Sequence, residues 1–99
     1  MKLGWQKHGP AECRIVASKA HPERLLELSG LFVPVQHRAK GWASKLLAEV
    51  GREADTDMLP LLLMVDKHKL SLVQLYNKHG FEVIQTSPEC LMLRIPRAV

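Results

Sequence analysis

Residues 38–43 (RAKGWA) combine the features that a binding site for a phosphate group requires. They lie between an apolar segment and an amphipathic one, where a strand is predicted to turn into a helix. The first N–H groups of a helix have no partner within it and carry partial positive charge, and both properties favour phosphate. Gly41 and Ala43 let the backbone approach phosphate oxygens closely, while Arg38 and Lys40 add positive charge.

The same turn differs from the common nucleotide-binding motifs. The sequence contains neither the GxxxxGK[ST] pattern of a P-loop nor the GxGxxG pattern of a dinucleotide site. An ordinary connection between a strand and a helix, with basic residues present by chance, would have the same local pattern. The turn alone therefore leaves a phosphate site and a plain connection as open alternatives.

The elements that must position this turn are indicated by hydrophobic periodicity. Residues 11–19 and 25–35 predict two strands, the second with Gly30 in its middle and Pro34 near its end. A glycine at that place favours a β-bulge. Apolar residues at positions 43, 46, 47, 50 and 54 fall on one face of a helix that begins near Gly41.

The second half of the chain predicts one strand, one helix and two closing strands. The continuous apolar run at 59–65 is typical of a strand covered on both faces. Residues 70–79 predict a helix that ends before Gly80, and strands follow at 81–84 and 91–95. The order β, β, α, β, α, β, β indicates an α/β fold with a mixed sheet and a central β-α-β crossover.

Composition and charge limit the kind of protein. The chain has 99 residues, which predicts a single domain over 1–99 and excludes an enzyme with separate cofactor and substrate domains. Lys and Arg number 14 against 10 Asp and Glu, a net charge of +4 that favours an anionic ligand. Because these charges are scattered, no specific nucleic-acid partner is expected, although binding of nucleic acid through the basic surface is a further alternative.

Cysteine, histidine and hydropathy patterns address metals and location. Cys13 and Cys90 are isolated, which favours buried free thiols and leaves a disulfide between them as the alternative. The five His residues show no metal-ligand spacing, so no metal is expected. No apolar run approaches the roughly 20 residues of a membrane span, and the first residues lack the apolar core of a signal peptide. We therefore expect a cytoplasmic protein with no membrane partner.

Two blocks of the sequence resemble the GNAT (Gcn5-related) N-acetyltransferase family. In the first, an apolar strand at 31–34 precedes Arg38, Gly41 and Ala43, which match the family pattern Arg/Gln-x-x-Gly-x-Gly/Ala. The second, residues 75–81 (LYNKHGF), is similar to the family segment Leu-Tyr-x-x-x-Gly-Phe. The blocks follow the family order, and the resemblance covers about residues 25–95.

This resemblance implies a GNAT-like acyl-CoA N-acyltransferase fold, abbreviated at its N-terminus, with antiparallel strands flanking the crossover. The implied activity is direct transfer of an acetyl group from acetyl-CoA to a primary amine of an unidentified acceptor. A catalytically inactive module that binds CoA or assists assembly, with the same fold, is the alternative.

The resemblance also implies which residues contact acetyl-CoA. The backbone of Leu31, Phe32 and Val33 would pair with the pantetheine arm where two parallel strands splay apart. Residues 38–44, named here the phosphate turn, would hold the pyrophosphate. They are Arg38, Ala39, Lys40, Gly41, Trp42, Ala43 and Ser44. Ala39 and Trp42 replace the family's commoner residues, and Trp42 is expected to pack on a neighbouring element.

Two residues are candidates for catalysis. Tyr76 would protonate the departing CoA thiolate as a general acid, because a tyrosine keeps its proton at neutral pH. Glu27 is the candidate general base for the acceptor amine. Each has a plainer interpretation: an amphipathic tyrosine that buries its ring, and a solvent-facing strand carboxylate.

Two departures from the family pattern bear on function. Lys69 stands where the family often has an Asn that contacts pantetheine. The chain is also shorter than usual members, so it is a minimal member, a fragment, or a protomer whose partner covers an exposed side. Since the apolar run at 59–65 needs cover on both faces, the sequence predicts a homodimer.

Overall fold

A computed structural model of the chain describes residues 1–19 and 21–98. Within them, six strands and two α-helices form one mixed sheet with helical cover. The strands are β1 (Gly4–His8), β2 (Ala11–Ala17), β3 (Leu26–Phe32), β4 (Leu61–Val65), β5 (Phe81–Gln85) and β6 (Cys90–Arg94). The helices are α1 (Trp42–Thr56) and α2 (Leu70–Lys78), and a short 3-10 helix covers Val35–His37.

The strands lie in the order β1-β2-β3-β4-β6-β5. Strands β3 and β4 are parallel and are joined by α1, while every other neighbouring pair is antiparallel. The predicted α/β fold with its central crossover is therefore confirmed. The second helix ends at Lys78, and Gly80 follows with a φ of 91°, a left-handed conformation that suits glycine.

The core lies on one face of the sheet. The registers Ile15↔Leu28 and Leu26↔Leu61 place side chains from neighbouring strands together on that face, and all four are buried. Both helices pack there: α1 buries Leu46, Leu47, Val50, Gly51 and Ala54 against the sheet. Arg94 of β6 connects the two helices, because its guanidinium bonds Asp55 of α1 and the carbonyl of His79 after α2.

The opposite face of the sheet has no helix among the described residues; we call it the helix-free face. Met64 is 62% exposed there and Trp5 60% exposed. The cover on both faces that the run at 59–65 predicts is therefore not supplied within the described part of the single chain. Its residues Leu61, Leu63 and Val65 are buried, but both helices lie on their side and none covers Met64.

The sheet opens between its two parallel strands. Backbone pairing of β3 with β4 is confined to Leu26↔Leu61 and Glu27↔Leu62, although both strands continue beyond these pairs. The register of β2 against β3 shifts between Glu12 and Arg14, which leaves an extra residue on β3 around Gly30. Gly30 has a φ of 63°, a left-handed conformation, so the predicted bulge is confirmed.

Strand β1 was not predicted. It is five residues long, pairs with β2 through the turn at Gly9, and alternates half-buried and exposed residues. Its residues include Gln6, Lys7 and His8, so no apolar pattern marks it. Cys13 and Cys90 are free and buried, as the sequence predicted.

Candidate functional site

A cavity of about 610 Å³ lies where β3, the phosphate turn and the first turns of α1 and α2 meet. Its volume falls in the range of roughly 300–1,000 Å³ that is usual for ligand pockets. Its lining residues are Leu31, Phe32, Val33, His37, Arg38, Ala39, Gly41, Trp42, Ala43, Ser44, Lys69, Ser71, Leu72 and Leu75.

The cavity brings together nine of the ten residues that the sequence assigned to acetyl-CoA, and it leaves out Lys40. The side chain of Lys40 is exposed at the surface. The sequence assignment did not include the five residues that complete the wall, which are His37, Lys69, Ser71, Leu72 and Leu75. A helical period would have indicated Leu72 and Leu75 as neighbours on one face of α2, but not that this face lines a cavity.

The phosphate turn holds two residues in left-handed backbone conformations. Ala39 has a φ of 62° and Gly41 a φ of 81°. Gly41 is the N-cap of α1, and its carbonyl accepts the first helical hydrogen bond from the N–H of Lys45 at 3.0 Å. The N–H groups of the first turn of α1 therefore have no partner within the helix and lie at the cavity.

Arg38 is held at the cavity by its own strand. Its Nε donates to the carbonyl of Val33 at 2.9 Å, and the guanidinium carbon lies 5.9 Å from the centre of the Phe32 ring. These contacts fix the guanidinium beside the end of β3 while leaving its two Nη groups for an anion. The cavity thus has a cationic side chain and a helix N-terminus at one end.

Trp42 packs on a neighbouring element, as expected, and it also lines the cavity. A Cβ atom added at Gly9 would lie 2.5 Å from the indole, so the turn between β1 and β2 rests directly on the ring. The ammonium of Lys45, which is also on α1, lies 4.8 Å from the centre of the Trp42 ring. The hairpin is further attached to α1 by a hydrogen bond between His8 and Glu49, whose Nδ1 and Oε2 atoms are 2.6 Å apart.

Ser44 is paired with a histidine from the other helix. Its Oγ lies 2.7 Å from Nε2 of His79, which follows α2. Burial lowers the pKa of His79 below its usual value, and the nearby cations Lys78 and Arg94 lower it further. The imidazole is therefore neutral at pH 7.

Tyr76 lies in α2 on the core side of the sheet, one turn after Leu72. The residue is 6% exposed, and its ring meets the ring of Phe81 edge-on at 5.9 Å between centroids. Burial raises its pKa, and the neighbouring Cys13 thiol raises it further. Burial also raises the pKa of Cys13 itself to about 11. The phenol therefore keeps its proton at neutral pH.

The hydroxyl of Tyr76 is available to a ligand. No other residue in 1–19 or 21–98 hydrogen-bonds this hydroxyl. Every fully buried side-chain nitrogen or oxygen in these ranges has a hydrogen-bond partner, so a hydroxyl without one reaches solvent-accessible space. The residue is not part of the lining of the cavity, which ends at its helix neighbours Leu72 and Leu75. The phenol is therefore outside the wall of this cavity, on the helix that lines it through Leu72 and Leu75.

Glu27 lies on the other side of the sheet. Its neighbours Leu26 and Leu28 are buried in the core, so Glu27 points to the helix-free face, where it is half-buried. It occupies the last register pair of β3 with β4, directly before the strands separate. Within the part of the chain that the structure describes, no hydrogen bond or ion pair engages its carboxylate.

Among residues 1–19 and 21–98, no three His, Cys, Asp or Glu side chains come together in a way that could hold a metal ion. No helix in these same ranges has the length and apolar character needed to cross a membrane.

The sequence defines the family to which this fold belongs. The model of the GNAT acetyltransferase domain matches residues 5–95, nearly the whole chain. The chain therefore belongs to the GNAT acetyltransferase family, which confirms the resemblance seen in its two sequence blocks. Among curated proteins, none matches the sequence significantly.

Solved structures share the fold at low sequence identity. The ribosomal-protein-S18-alanine N-acetyltransferase of Escherichia coli matches with a TM-score of 0.75 and 17% identity over 100% of this chain and 74% of its own. A GNAT-family acetyltransferase of Staphylococcus aureus matches with a TM-score of 0.71 and 15% identity over 89% of this chain and 60% of its own. Arabidopsis thaliana NAA60, solved with acetyl-CoA, matches with a TM-score of 0.65 and 17% identity over 86% of this chain and 63% of its own.

These likenesses establish the fold. The chain spans about three fifths of the length of several of these proteins, including the Staphylococcus aureus acetyltransferase at 60%.

Proposed function

We propose that the chain binds acetyl-CoA in the cavity beside the phosphate turn and transfers its acetyl group directly to a primary amine. The observation that carries this proposal is the coincidence of three features in one cavity. An unpaired helix N-terminus and Arg38 lie at one end, and the unpaired edge of β3 forms a wall. Tyr76 is carried by α2, which lines the same cavity through Leu72 and Leu75.

Each part of acetyl-CoA has a matching feature. The pyrophosphate would accept hydrogen bonds from the N–H groups of the phosphate turn and from the guanidinium of Arg38. The pantetheine amides would pair with the backbone at 31–33, which β4 leaves unpaired when the strands separate. The bound acetyl-CoA of Arabidopsis thaliana NAA60, a protein with the same fold, supports this choice of ligand.

The chemistry then follows from two residues on opposite faces of the sheet. The acceptor amine attacks the thioester carbonyl carbon, and the C–S bond breaks as the tetrahedral intermediate collapses. Tyr76 would donate its proton to the departing sulfur, since its raised pKa keeps that proton in place. Glu27 would take the proton that the amine loses, directly or through a water.

The position of Glu27 supports its role as general base. The carboxylate is half-buried on the helix-free face where the strands begin to separate. An amine approaching through this opening would meet the carboxylate before the thioester.

Lys69 lines the cavity at the start of α2. We propose that its ammonium replaces the amide that family members often have at this position. Its charge would favour the anionic groups of acetyl-CoA, whereas an amide would bond to pantetheine.

The helix-free face supports the predicted homodimer. Leu62 pairs with Leu93 and Met64 with Leu91, so four apolar side chains form a patch across β4 and β6. A second copy on this patch would give the strand at 61–65 the cover that its apolar sequence requires. Light scattering at micromolar concentration is expected to give a dimer mass, and Met64→Lys a monomer; a monomeric wild-type protein would contradict the dimer.

Two buried free thiols suit the cytoplasmic location that we also propose.

The activity is tested by release of the CoA thiol from acetyl-CoA in the presence of a panel of primary amines. The proposal predicts release that depends on the amine, with the N-acetyl product found by mass spectrometry. Arg38→Ala should weaken acetyl-CoA binding. Arg52→Ala, which removes the same charge from an exposed position of α1, should not. Binding of acetyl-CoA with no transfer to any amine would favour the inactive CoA-binding module instead.

A further inference from the structure

Ser44 and His79 form a hydrogen-bonded pair at the wall of the cavity. They are 35 positions apart, and the 2.7 Å between Oγ and Nε2 joins the first turn of α1 to the end of α2. Ser44 lines the cavity, whereas His79 stands behind it. The pair therefore connects a residue that can contact an anion to one that cannot.

The backbone of His79 is fixed on both sides. Its N–H donates to the carbonyl of Tyr76 at 3.0 Å, and its carbonyl accepts a bond from Nε of Arg94 at 3.2 Å. Arg94 is in turn bonded to Asp55 of α1 by both Nη groups. The imidazole is consequently held against Ser44 by two elements, and it is not a free surface side chain.

The charges around the imidazole are positive. Lys78 precedes it on α2, and Arg94 approaches it from β6. The carboxylate of Asp55 is engaged with Arg94 and with the N–H of Arg97. Among the described residues no acidic group is bonded to the ring. No carboxylate therefore fixes which of its two tautomers the neutral imidazole adopts.

The two tautomers differ in what Ser44 offers to the cavity. If Nε2 lacks a proton, the serine hydroxyl donates to it and only oxygen lone pairs face the cavity. If Nε2 carries the proton, it donates to Oγ, and the hydroxyl proton is free to point into the cavity. Only the second arrangement suits an anionic phosphate oxygen, and its two successive hydrogen bonds strengthen each other.

We propose that His79 is a positioning residue of the diphosphate site: its Nε2–H donates to Ser44 and so directs the serine hydroxyl at a phosphate oxygen of acetyl-CoA. This inference rests on the proposed binding of acetyl-CoA. Ligand binding then selects the Nε2–H tautomer. It also favours the protonated ring, because an imidazolium likewise donates at Nε2 and adds positive charge near the diphosphate.

The first test measures the Kd of acetyl-CoA for Ser44→Ala, His79→Ala and the double variant. Hydrogen bonds to charged groups correspond to roughly tenfold to hundredfold in affinity. Each single variant should therefore bind about tenfold more weakly, and the double variant no worse than Ser44→Ala. His79→Gln should restore binding in part, because its amide N–H can donate to the same oxygen.

The second test separates positioning from a general structural role. S-acetylpantetheine carries the thioester but no diphosphate, so its kcat/KM should be the same for wild type and His79→Ala. A loss of kcat/KM for both substrates would show a structural effect and overturn the proposal. If His79→Ala does not fold, the same comparison is made with His79→Gln and Ser44→Ala.

A third test uses the unaltered protein. Titration of His79 by NMR should show that CoA raises its pKa, and that S-acetylpantetheine does not. Acetyl-CoA binding with unchanged Kd in the single variants, or with no rise in the pKa of His79, would overturn the role of His79 while the proposed function stands. Absence of acetyl-CoA binding by wild type would instead overturn the proposed function and this inference with it.

Discussion

Replacing Tyr76 with Phe removes one hydroxyl from α2 and leaves the rest of the core in place. The ring contact with Phe81 is retained, since it involves only the two rings. The hydroxyl makes no hydrogen bond to another described residue, so its loss leaves no orphaned partner. We therefore expect the free energy of unfolding to change by no more than about 0.5 kcal/mol.

The expected effect on catalysis is much larger. General acid catalysis contributes about 10²–10⁴-fold to rate, which is about 2.7–5.4 kcal/mol of activation free energy at 1.36 kcal/mol per tenfold. Tyr76→Phe should lower kcat by that factor and leave the Kd of acetyl-CoA within about twofold, because the phenol lies outside the cavity lining. Because the pKa of Tyr76 is raised from its ordinary value of 10.0, deprotonation of the phenol should lower the activity of the wild-type protein only at a pH above that value.

The assay combines steady-state thiol release, acetyl-CoA titration and thermal unfolding. Phe81→Leu is the matched control, because it disturbs the same ring pair and keeps the phenol. It should cost about 1–3 kcal/mol of stability while kcat at a temperature well below unfolding stays near that of wild type. A Tyr76→Phe protein with wild-type kcat would refute the role of the phenol as general acid. A variant that loses activity only in proportion to its folded fraction would refute it equally.

Three further predictions concern the elements that hold the site. Gly9→Ala should destabilise the protein by about 2–5 kcal/mol in chemical denaturation, from left-handed strain and from collision with the Trp42 ring; an effect no larger than that of Gly4→Ala, whose added Cβ meets nothing, would exclude the collision. Ala39→Gly should stabilise the fold by about 0.5–1 kcal/mol, because relief of left-handed strain exceeds the added entropy of the unfolded chain; destabilisation would contradict this. Asp55→Asn should cost about 3 kcal/mol by leaving Arg94, 7% exposed, without its partner. The pKa of Asp55 is lowered in the folded chain by its bond to Arg94, so its contribution is present above about pH 4 and lost as pH falls through the folded pKa. Equal slopes of stability against pH for Asp55→Asn and wild type at pH 2–4 would show that Asp55 is not responsible.

Much of the fold was predictable because its strongest signals are local. The apolar positions of α1 recur at helical spacing, and Gly30 marks a bulge that only glycine forms readily. The first strand was missed because five mostly polar residues at the edge of a sheet need no apolar pattern. The single chain covers only one face of the strand at 61–65, because an apolar run shows that burial is favourable but not which element supplies it.

The candidate site also contains residues that the sequence predicts and residues that it does not. The phosphate turn is contiguous in sequence, so its residue types and spacing could be recognised directly. The pairing of Ser44 with His79 could not, because it depends on how two helices pack across the sheet. Lys40 shows the converse: its charge suggested a contact, yet the left-handed residues on either side leave it outside the cavity wall.

The measurement that tests the central claim most directly is an NMR titration of the backbone amides with acetyl-CoA. We expect saturable shifts for the amides of 31–33 and 41–44, with one ligand per chain, and small or no shifts for β5 and for Gly4 at the start of β1. The same amides should become protected from hydrogen exchange. Shifts confined to the helix-free face, or no saturable shifts at millimolar acetyl-CoA, would contradict the claim that this cavity is the acetyl-CoA site.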